Sequence, residues 1–350
     1  MKKVWAVHFN DIHIKNGNED DIYEAVKYMV DYCVENKIST LICGGDVFDS
    51  RSFQRLSHLQ CWIKCLELFR IYGLKCYINV GNHDKSLYSK KENFIDPFKH
   101  HPSIELVDEI ATMEVNGKMT TFSPFFSDNI LIPQLENHDG SEVLIGHWDM
   151  DGSTYLSQVS EKPTLNKKLL SKWKKVFLSH YHNYHKVSKD ISHLPSLIQD
   201  NFGEDNQKGF TVIYDDLSYE LIKGKFKEFK KVVIDLNDKS IDYVKGLIKD
   251  EQNSSKIVRF EFTGEDTKLK SINKEMFKNT GIDVKLKYNK KYDFDDSNLK
   301  YPTITEKFEV EDIESEFKKF CNNKGYDFTF GSALLKKFFK KDKLDGKEKK

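Results

Sequence analysis

Short apolar runs that alternate with helical periodicity over the first two hundred residues constrain the fold of this chain more than any other feature. The runs at Val4–Phe9, Thr40–Cys43 and 76–80 are short and apolar, as strands are. Between them, residues 20–36 and about 53–72 place apolar side chains three and four positions apart, which is typical of amphipathic helices. This alternation predicts a layered α/β domain.

Further strands are predicted as far as residue 221. Asn116-Gly117 is a preferred two-residue hairpin turn, and the other predicted strands lie at 112–115, 119–122, 142–145, 175–178, 209–214 and 219–221. After about residue 225, two alternating segments at 256–262 and 282–287 enclose a helical pattern at 266–279. We therefore expect a large domain at 1–224, a small α+β domain at 225–300, and a charged helical segment with a basic tail at 301–350.

Charge and cysteine content exclude several classes of protein. Basic and acidic residues number 55 each, so any surface that attracts polyanions must be local. The six cysteines lack the dense spacing of a secreted disulfide scaffold. No apolar window has the length of a membrane span, and His8 and Asn10 interrupt the apolar N-terminus before it could serve as a signal peptide. We expect a cytoplasmic protein that does not bind membranes.

Five of the predicted strands end in polar residues of the types that bind metals. In chain order these residues are Asp11, His13, Asp46, Asn82, His147, His180 and His182. Because the carboxyl ends of strands in an open α/β sheet meet in one crevice, we expect these side chains to lie close together. They offer carboxylate, amide and imidazole donors and no thiolate, a set that suits manganese, iron or zinc. Seven ligands are too many for one ion, whereas one shared carboxylate gives two ions four ligands each, as in two-metal phosphoester hydrolysis.

Each of these motifs alone has a purely structural interpretation. An Asp after a strand commonly caps a helix or forms a turn, and Gly81-Asn82 could supply the positive φ of a tight turn. Five such motifs in order along one chain favour the metal site.

The motifs resemble those of the calcineurin-like metallophosphoesterase superfamily. They are Asp-x-His at 11–13, Gly-Asp-Val-Phe-Asp at 45–49, Gly-Asn-His-Asp at 81–84, Gly-His at 146–147 and His-x-His at 180–182. Within the superfamily the chain is similar to the SbcD-type nuclease subunits of the double-strand-break repair complex, most of all to the branch found in T-even phages. This narrower similarity rests on residues 45–51, on Gly-His-Trp at 146–148 and on the stretch from Pro195-Ser196 to Gly209-Phe210. The resemblance covers residues 1 to about 215 and implies a layered β-sandwich flanked by helices, with a small capping domain.

The resemblance also implies roles for individual residues. It implies two divalent ions, with manganese expected, and the following ligands: Asp11, His13, Asp46 and His182 for one ion, and Asp46, Asn82, His147 and His180 for the other. His83 is expected to be the general acid for the leaving oxygen or a phosphate clamp, with Asp84 orienting and charging it. Some family members carry His where this chain has Asp49, so Arg51 is either a substitute phosphate contact or an ordinary surface residue.

The expected function is a manganese-dependent DNA nuclease that acts on ends and single strands. By the same resemblance it would work as a homodimer, meeting through 53–72 or 88–98, with an SbcC-type coiled-coil ATPase that docks on about 304–340. The alternative is a phosphoesterase for small molecules or phosphoproteins, although Ser50 separates Asp49 from Arg51 where protein phosphatases have Arg directly after the Asp. A metal-free scaffold is a third possibility, which the complete set of ligand-type residues argues against.

Overall fold

The computed structural model of the chain describes residues 2–150, 165, 167–288 and 318. The strands are β1 Val4–Phe9, β2 Thr40–Cys43, β3 Lys75–Asn79, β4 Ile104–Val107, β5 Ala111–Val115, β6 Lys118–Ser123, β7 Val143–His147, β8 Lys175–Ser179, β9 His185–Lys186, β10 Ile191–His193, β11 Gly209–Tyr214, β12 Tyr219–Lys223, β13 Phe229–Asp235, β14 Ile257–Thr263 and β15 Asp283–Leu286. The helices are α1 Glu19–Glu35, α2 Leu56–Ile71, α3 Asp128–Glu136, α4 Ile241–Glu251 and α5 Asp266–Leu269, with 3₁₀ turns at Asp96–Phe98, Leu169–Lys172 and Lys274–Phe277.

Two six-stranded mixed sheets form the large part of the molecule. Their spatial orders are β12-β11-β1-β2-β3-β4 and β5-β6-β7-β8-β10-β9. The sheets pack face to face through a core that contains Trp5 and Ile42 from the first and Ile145 and Phe177 from the second. This arrangement confirms the predicted layered α/β sandwich.

Helices α1 and α2 cover the other face of the first sheet. α1 buries Ile22, Val26, Met29 and Cys33, the stripe that the sequence predicts. Three acidic residues in its first turn complement the positive end of the helix dipole. Both helices therefore pack their apolar sides on the sheet that carries β1, β2 and β3.

A small parallel sheet of order β13-β14-β15 follows the large part. The predicted strands at 256–262 and 282–287 correspond to β14 and β15, whereas β13 and α4 are not predicted from the sequence. The single helix predicted at 266–279 is wrong. The segment forms the four-residue α5 and then a separate 3₁₀ turn, because the side chain of Asn273 accepts the backbone N–H of Glu275 and starts a new turn.

Most of the predicted C-terminal helical segment and basic tail lies outside the described residues, which include only Lys318 beyond residue 288. In the part of the chain that the structure does describe, no helix has both the length and the hydropathy needed to cross a bilayer.

Candidate metal centre

The two large sheets bring the carboxyl ends of five strands together. β1, β2 and β3 are parallel neighbours in the first sheet, and β7 and β8 are parallel neighbours in the second. Every predicted ligand lies at the end of one of these strands or in the loop that follows it. The topology therefore places all seven side chains at one edge of the sandwich.

Four of these residues have a left-handed backbone, which is rare for residues other than glycine. The φ angles are 50° at Asp11, 46° at His13, 54° at Asp46 and 78° at His180. Such conformations are costly and cluster at functional sites. The loops after β1 and β2 stabilise each other, since the N–H of Asp11 donates to Gly45 O at 2.9 Å and that of His13 to Asp46 O at 3.1 Å.

The donor atoms form two groups that meet at Asp46. The first donor group is Asp11, His13 and His182, and the second is Asp46, His147 and His180; within each, one donor atom per residue lies within 4.8 Å of the others. Asp46 Oδ2 is 3.6 Å from His13 Nε2 and 3.3 Å from His147 Nε2, so it lies between the groups. Asn82 Oδ1 joins the second group at 3.0 Å from His147 Nε2.

One histidine of each group is oriented by a hydrogen bond from its outer nitrogen. Nδ1 of His147 bonds to Gly44 O at 2.8 Å, and Nδ1 of His182 bonds to Glu204 Oε1 at 2.7 Å. These bonds fix the tautomer and leave both Nε2 atoms toward the donor groups, as outer partners of metal-bound histidines do. Burial alone would favour neutral rings, but Asp46 raises the pKa of His147 to about 9, and Glu204 raises that of His182 to about 9.

The composition and charge of the site fit divalent cations. Asp11 and Asp46 are fully buried, and within the described residues Asp11 Oδ1 has no hydrogen-bond partner. Burial opposes ionisation of Asp46, but His147 and His13 hold the pKa of its carboxyl well below the usual range. Buried carboxylates beside imidazoles that present Nε2 form the mixed oxygen and nitrogen set that manganese, iron or zinc accepts.

His83 lies beside the first donor group and is half-buried. Its ring is 4.8 Å from that of His13 at 89°, and its Nδ1 bonds to Asp49 O at 2.5 Å. The backbone of Asp49 therefore occupies Nδ1 of this ring.

Asp84 does not orient His83, which corrects the role expected from the sequence. Its buried carboxylate accepts four backbone N–H groups, from Asp46 at 2.9 Å, Val47 at 2.9 Å, Phe48 at 3.1 Å and Gly81 at 3.0 Å. Two bonds reach each oxygen, so the acceptor capacity of the carboxylate is filled. Asp84 holds the loop that carries Asp46.

The two residues considered for substrate phosphate have different surroundings. The guanidinium of Arg51 lies 3.9 Å from the ring centre of Tyr88, and no carboxylate among the described residues pairs with it. The carboxylate of Asp49, whose side chain is 37% exposed, faces Lys15 at 3.7 Å and His13 at 3.8 Å. As an anion Asp49 is unsuited to a phosphate contact, whereas Arg51 keeps donors available.

Gly81 shows why a glycine precedes Asn82. A Cβ added there would collide with Oδ1 and the backbone N of Asp46. The close approach of the two strand-end loops therefore requires glycine at this position.

Comparison with known proteins identifies the family. The sequence profile of the calcineurin-like phosphoesterases matches residues 5–221, more than half of the chain. The chain belongs to this family. Its members are metal-dependent hydrolases with two metal ions, and the two donor groups are the candidate metal-binding residues of this phosphoesterase.

The individual proteins that the chain matches share little sequence identity with it. Exonuclease subunit 1 of Enterobacteria phage T4 is 24% identical over 167 residues, which is 45% of this chain and 48% of the relative. The chain thus matches about half the length of that curated relative. The nuclease MPE of Pseudomonas putida aligns over 51% of this chain and 62% of its own with 16% identity and a TM-score of 0.27. The calcineurin-like phosphoesterase YfkN of Bacillus subtilis aligns over 63% and 88% with 13% identity and a TM-score of 0.32.

Sequence reasoning missed the residues that orient the ligands. Glu204 and the carbonyl of Gly44 have no motif of their own and reach the site only through the tertiary fold. Glu204 lies within the stretch 195–210 that supports the family resemblance. The resemblance therefore points to this segment but does not indicate what Glu204 does.

Proposed function

We propose that this phosphoesterase is a DNA nuclease that hydrolyses phosphodiester bonds with two divalent ions, manganese being the expected metal. The observation that carries the proposal is the position of Asp46 between the two donor groups, which is where a bridging carboxylate is needed. The similarity to a protein named exonuclease subunit 1 supports DNA as the substrate.

In this proposal the first ion is held by Asp11, His13, Asp46 and His182. The second is held by Asp46, Asn82, His147 and His180. When bound, such a pair of ions lowers the pKa of water and stabilises negative charge on a phosphoryl group. The chain itself holds His147 and His182 in fixed orientations, so little reorganisation of these two donors accompanies the reaction.

His83 supplies the proton for the leaving group. Its Nδ1–H donates to Asp49 O, so Nε2 is an acceptor when the ring is neutral and a donor when it is protonated. The bond between phosphorus and the leaving oxygen breaks as the bond from water to phosphorus forms; the water releases one proton to solvent, and the proton on Nε2 passes to the leaving oxygen. The half-buried position of His83 leaves this nitrogen within reach of a substrate.

Partners belong to the proposal as well. We infer a homodimer from the resemblance to the SbcD-type subunits. We also infer that it works with an SbcC-type coiled-coil ATPase, because a compact hydrolytic site by itself does not open a duplex. The docking segment at about 304–340 lies outside the described residues apart from Lys318.

The test is manganese-dependent cleavage of a labelled duplex with a free end and of a single-stranded circle. Bis-p-nitrophenyl phosphate serves as a generic diester. We expect wild type to cleave DNA and His83→Ala to lose most of this activity, since general acid catalysis contributes about 10²–10⁴-fold. His100→Ala is the matched control, because His100 is exposed and precedes β4 at the opposite end of that strand from the candidate site.

The outcomes separate the candidate functions. Cleavage of the small diester without any cleavage of DNA, even when the ATPase is added, would favour the small-molecule or phosphoprotein phosphoesterase. Full DNA cleavage by His83→Ala would remove His83 from the mechanism. Inactivity of wild type on every substrate with every metal would overturn the catalytic proposal.

A further inference from the structure

The loop at residues 199–204 reaches from the small sheet to the candidate metal centre. Phe202 packs on side chains from two neighbouring strands of that sheet. Its ring centre is 4.8 Å from that of Phe229 on β13, at an interplanar angle of 87°, and the guanidinium of Arg259 on β14 lies 4.0 Å from it. Edge-to-face and cation–π contacts therefore hold the tip of the loop on the small sheet.

A second connection runs through the buried side chain of Gln199. Its Oε1 accepts the backbone N–H of Phe229 at 2.8 Å, and its Nε2 donates to the carbonyl of Glu204 at 2.9 Å. One amide thus links the first residue of β13 directly to the residue that orients His182.

The carboxylate of Glu204 is held from several sides. Oε1 accepts from His182 Nδ1 at 2.7 Å and from Asn201 Nδ2 at 2.6 Å, while Oε2 accepts from the backbone N of Asp200 at 3.1 Å and pairs with Lys208 Nζ at 3.3 Å. Since two of these partners belong to the loop itself, a shift of the loop moves the carboxylate. His182 would then lose the bond that aims its Nε2 at His13, from which it lies 3.0 Å away.

We propose that Glu204 is a positioning residue for His182, and that the small sheet, through Phe202 and Gln199, sets how tightly the first donor group holds its ion. This inference rests on the metal assignment in the proposed function. His147 of the second donor group is oriented separately, by the carbonyl of Gly44. Displacing the small sheet therefore weakens one of the two ion sites and spares the other.

The test measures Mn²⁺ binding to the full-length chain by calorimetric titration and by electron paramagnetic resonance. We expect wild type to bind two ions. Glu204→Ala should weaken one ion roughly 10- to 100-fold, as loss of an outer partner of a metal ligand does, and replace the signal of the coupled ion pair with that of a single ion. Glu204→Gln should restore tight binding of the ion at the first donor group, because its amide oxygen still accepts the proton on Nδ1.

Two distant variants test the part played by the small sheet. Phe202→Ala and Arg259→Ala should weaken the same ion on the order of 2- to 30-fold, the range of coupling seen for residues that touch neither ligand. The matched control is Asp283→Asn, which breaks the 2.5 Å pair between Asp283 and Arg259 but leaves the contact of Arg259 with Phe202. This control should bind both ions as wild type does.

The inference is overturned if wild type binds fewer than two ions, if Glu204→Ala weakens both ions equally, or if Phe202→Ala and Arg259→Ala bind as wild type does. Circular dichroism and melting in chelator check folding, and if Glu204→Ala does not fold, the Phe202 and Arg259 variants decide. DNA cleavage is a separate readout. A wild-type chain that binds two ions without cleaving DNA, even when the ATPase is added, would refute the proposed nuclease and leave this inference standing.

Discussion

Replacing Asp84 with Asn distinguishes a structural carboxylate from a catalytic one. The carboxylate accepts four backbone N–H groups, two at each oxygen. An amide keeps one oxygen and turns the other into a donor, so two buried N–H groups lose their acceptor at a cost of about 1–3 kcal/mol each. Burial and the neighbouring Asp46 raise the pKa of Asp84 to about 6, so loss of its charge offsets part of this cost. We expect Asp84→Asn to lower the free energy of unfolding by about 2–4 kcal/mol.

The assay is urea denaturation in the presence of chelator, so that bound ions do not contribute to the measured stability. His83→Ala should lower stability by less than about 1.5 kcal/mol, since it removes one hydrogen bond at a half-buried position. The double variant should show coupling below about 0.5 kcal/mol, because the two side chains share no partner. Our interpretation is wrong if two results are found together. The free energy of unfolding of Asp84→Asn would lie within about 0.5 kcal/mol of the wild-type value, and its loss of activity would not add to that of His83→Ala, as expected if Asp84 orients His83.

Three further outcomes are expected. Gly81→Ala should abolish manganese binding and hydrolysis by displacing Asp46, which calorimetric titration checks. At Gly246 an added Cβ meets nothing within 4 Å, so Gly246→Ala should raise the free energy of unfolding by about 0.5–1 kcal/mol, which thermal melting checks. Manganese at 100 times its Kd should stabilise the protein by about 2.7 kcal/mol for each ion bound, and chelation should remove this stabilisation, so a melting curve unchanged by manganese would contradict the metal centre. Hydrogen bonds from Lys223 and Lys256 lower the pKa of Glu228 to about 2, so the stabilisation that the ionised Glu228 gives the fold is present above about pH 4.5 and is lost as the pH falls toward 2. The difference in the free energy of unfolding in urea between wild type and Glu228→Gln, at most about 1 kcal/mol at pH 7, should therefore shrink at pH 3.

The predictable part of the fold is the part in which local pattern and burial agree. β1 and β2 are short apolar runs that are almost completely buried, and α1 has a helical apolar stripe that is buried on the sheet, so the sequence alone locates them. β13 could not be predicted because its sequence mixes lysines with Val232 and Ile234 and so lacks a clear apolar run. The segment 266–279 was misjudged because Leu269, Ile272 and Phe277 are buried as a helical stripe would be, although the capping side chain of Asn273 interrupts the helix.

The seven predicted ligands could be found from sequence because strand topology guarantees that they meet. A polar residue at the carboxyl end of a parallel strand reaches the shared edge whatever the details of packing. The role of Asp84 could not be predicted in this way. It depends on which groups lie within hydrogen-bond distance after folding, and three of the four N–H groups that bind Asp84 come from residues 46–48, far away in the sequence.

The strained backbone explains why the loops that carry the predicted ligands need support from their surroundings. Asp11, His13 and Asp46 each have a positive φ, a conformation that persists only when the surrounding structure determines it. Two devices do so here: the paired backbone bonds between the loops after β1 and β2, and the carboxylate of Asp84 beneath Asp46. Both act on residues that the proposal assigns as metal ligands, and neither contacts a substrate. Substitutions in this supporting layer should therefore reduce manganese binding before they affect the chemical step, whereas loss of His83 should affect the chemical step and leave binding intact.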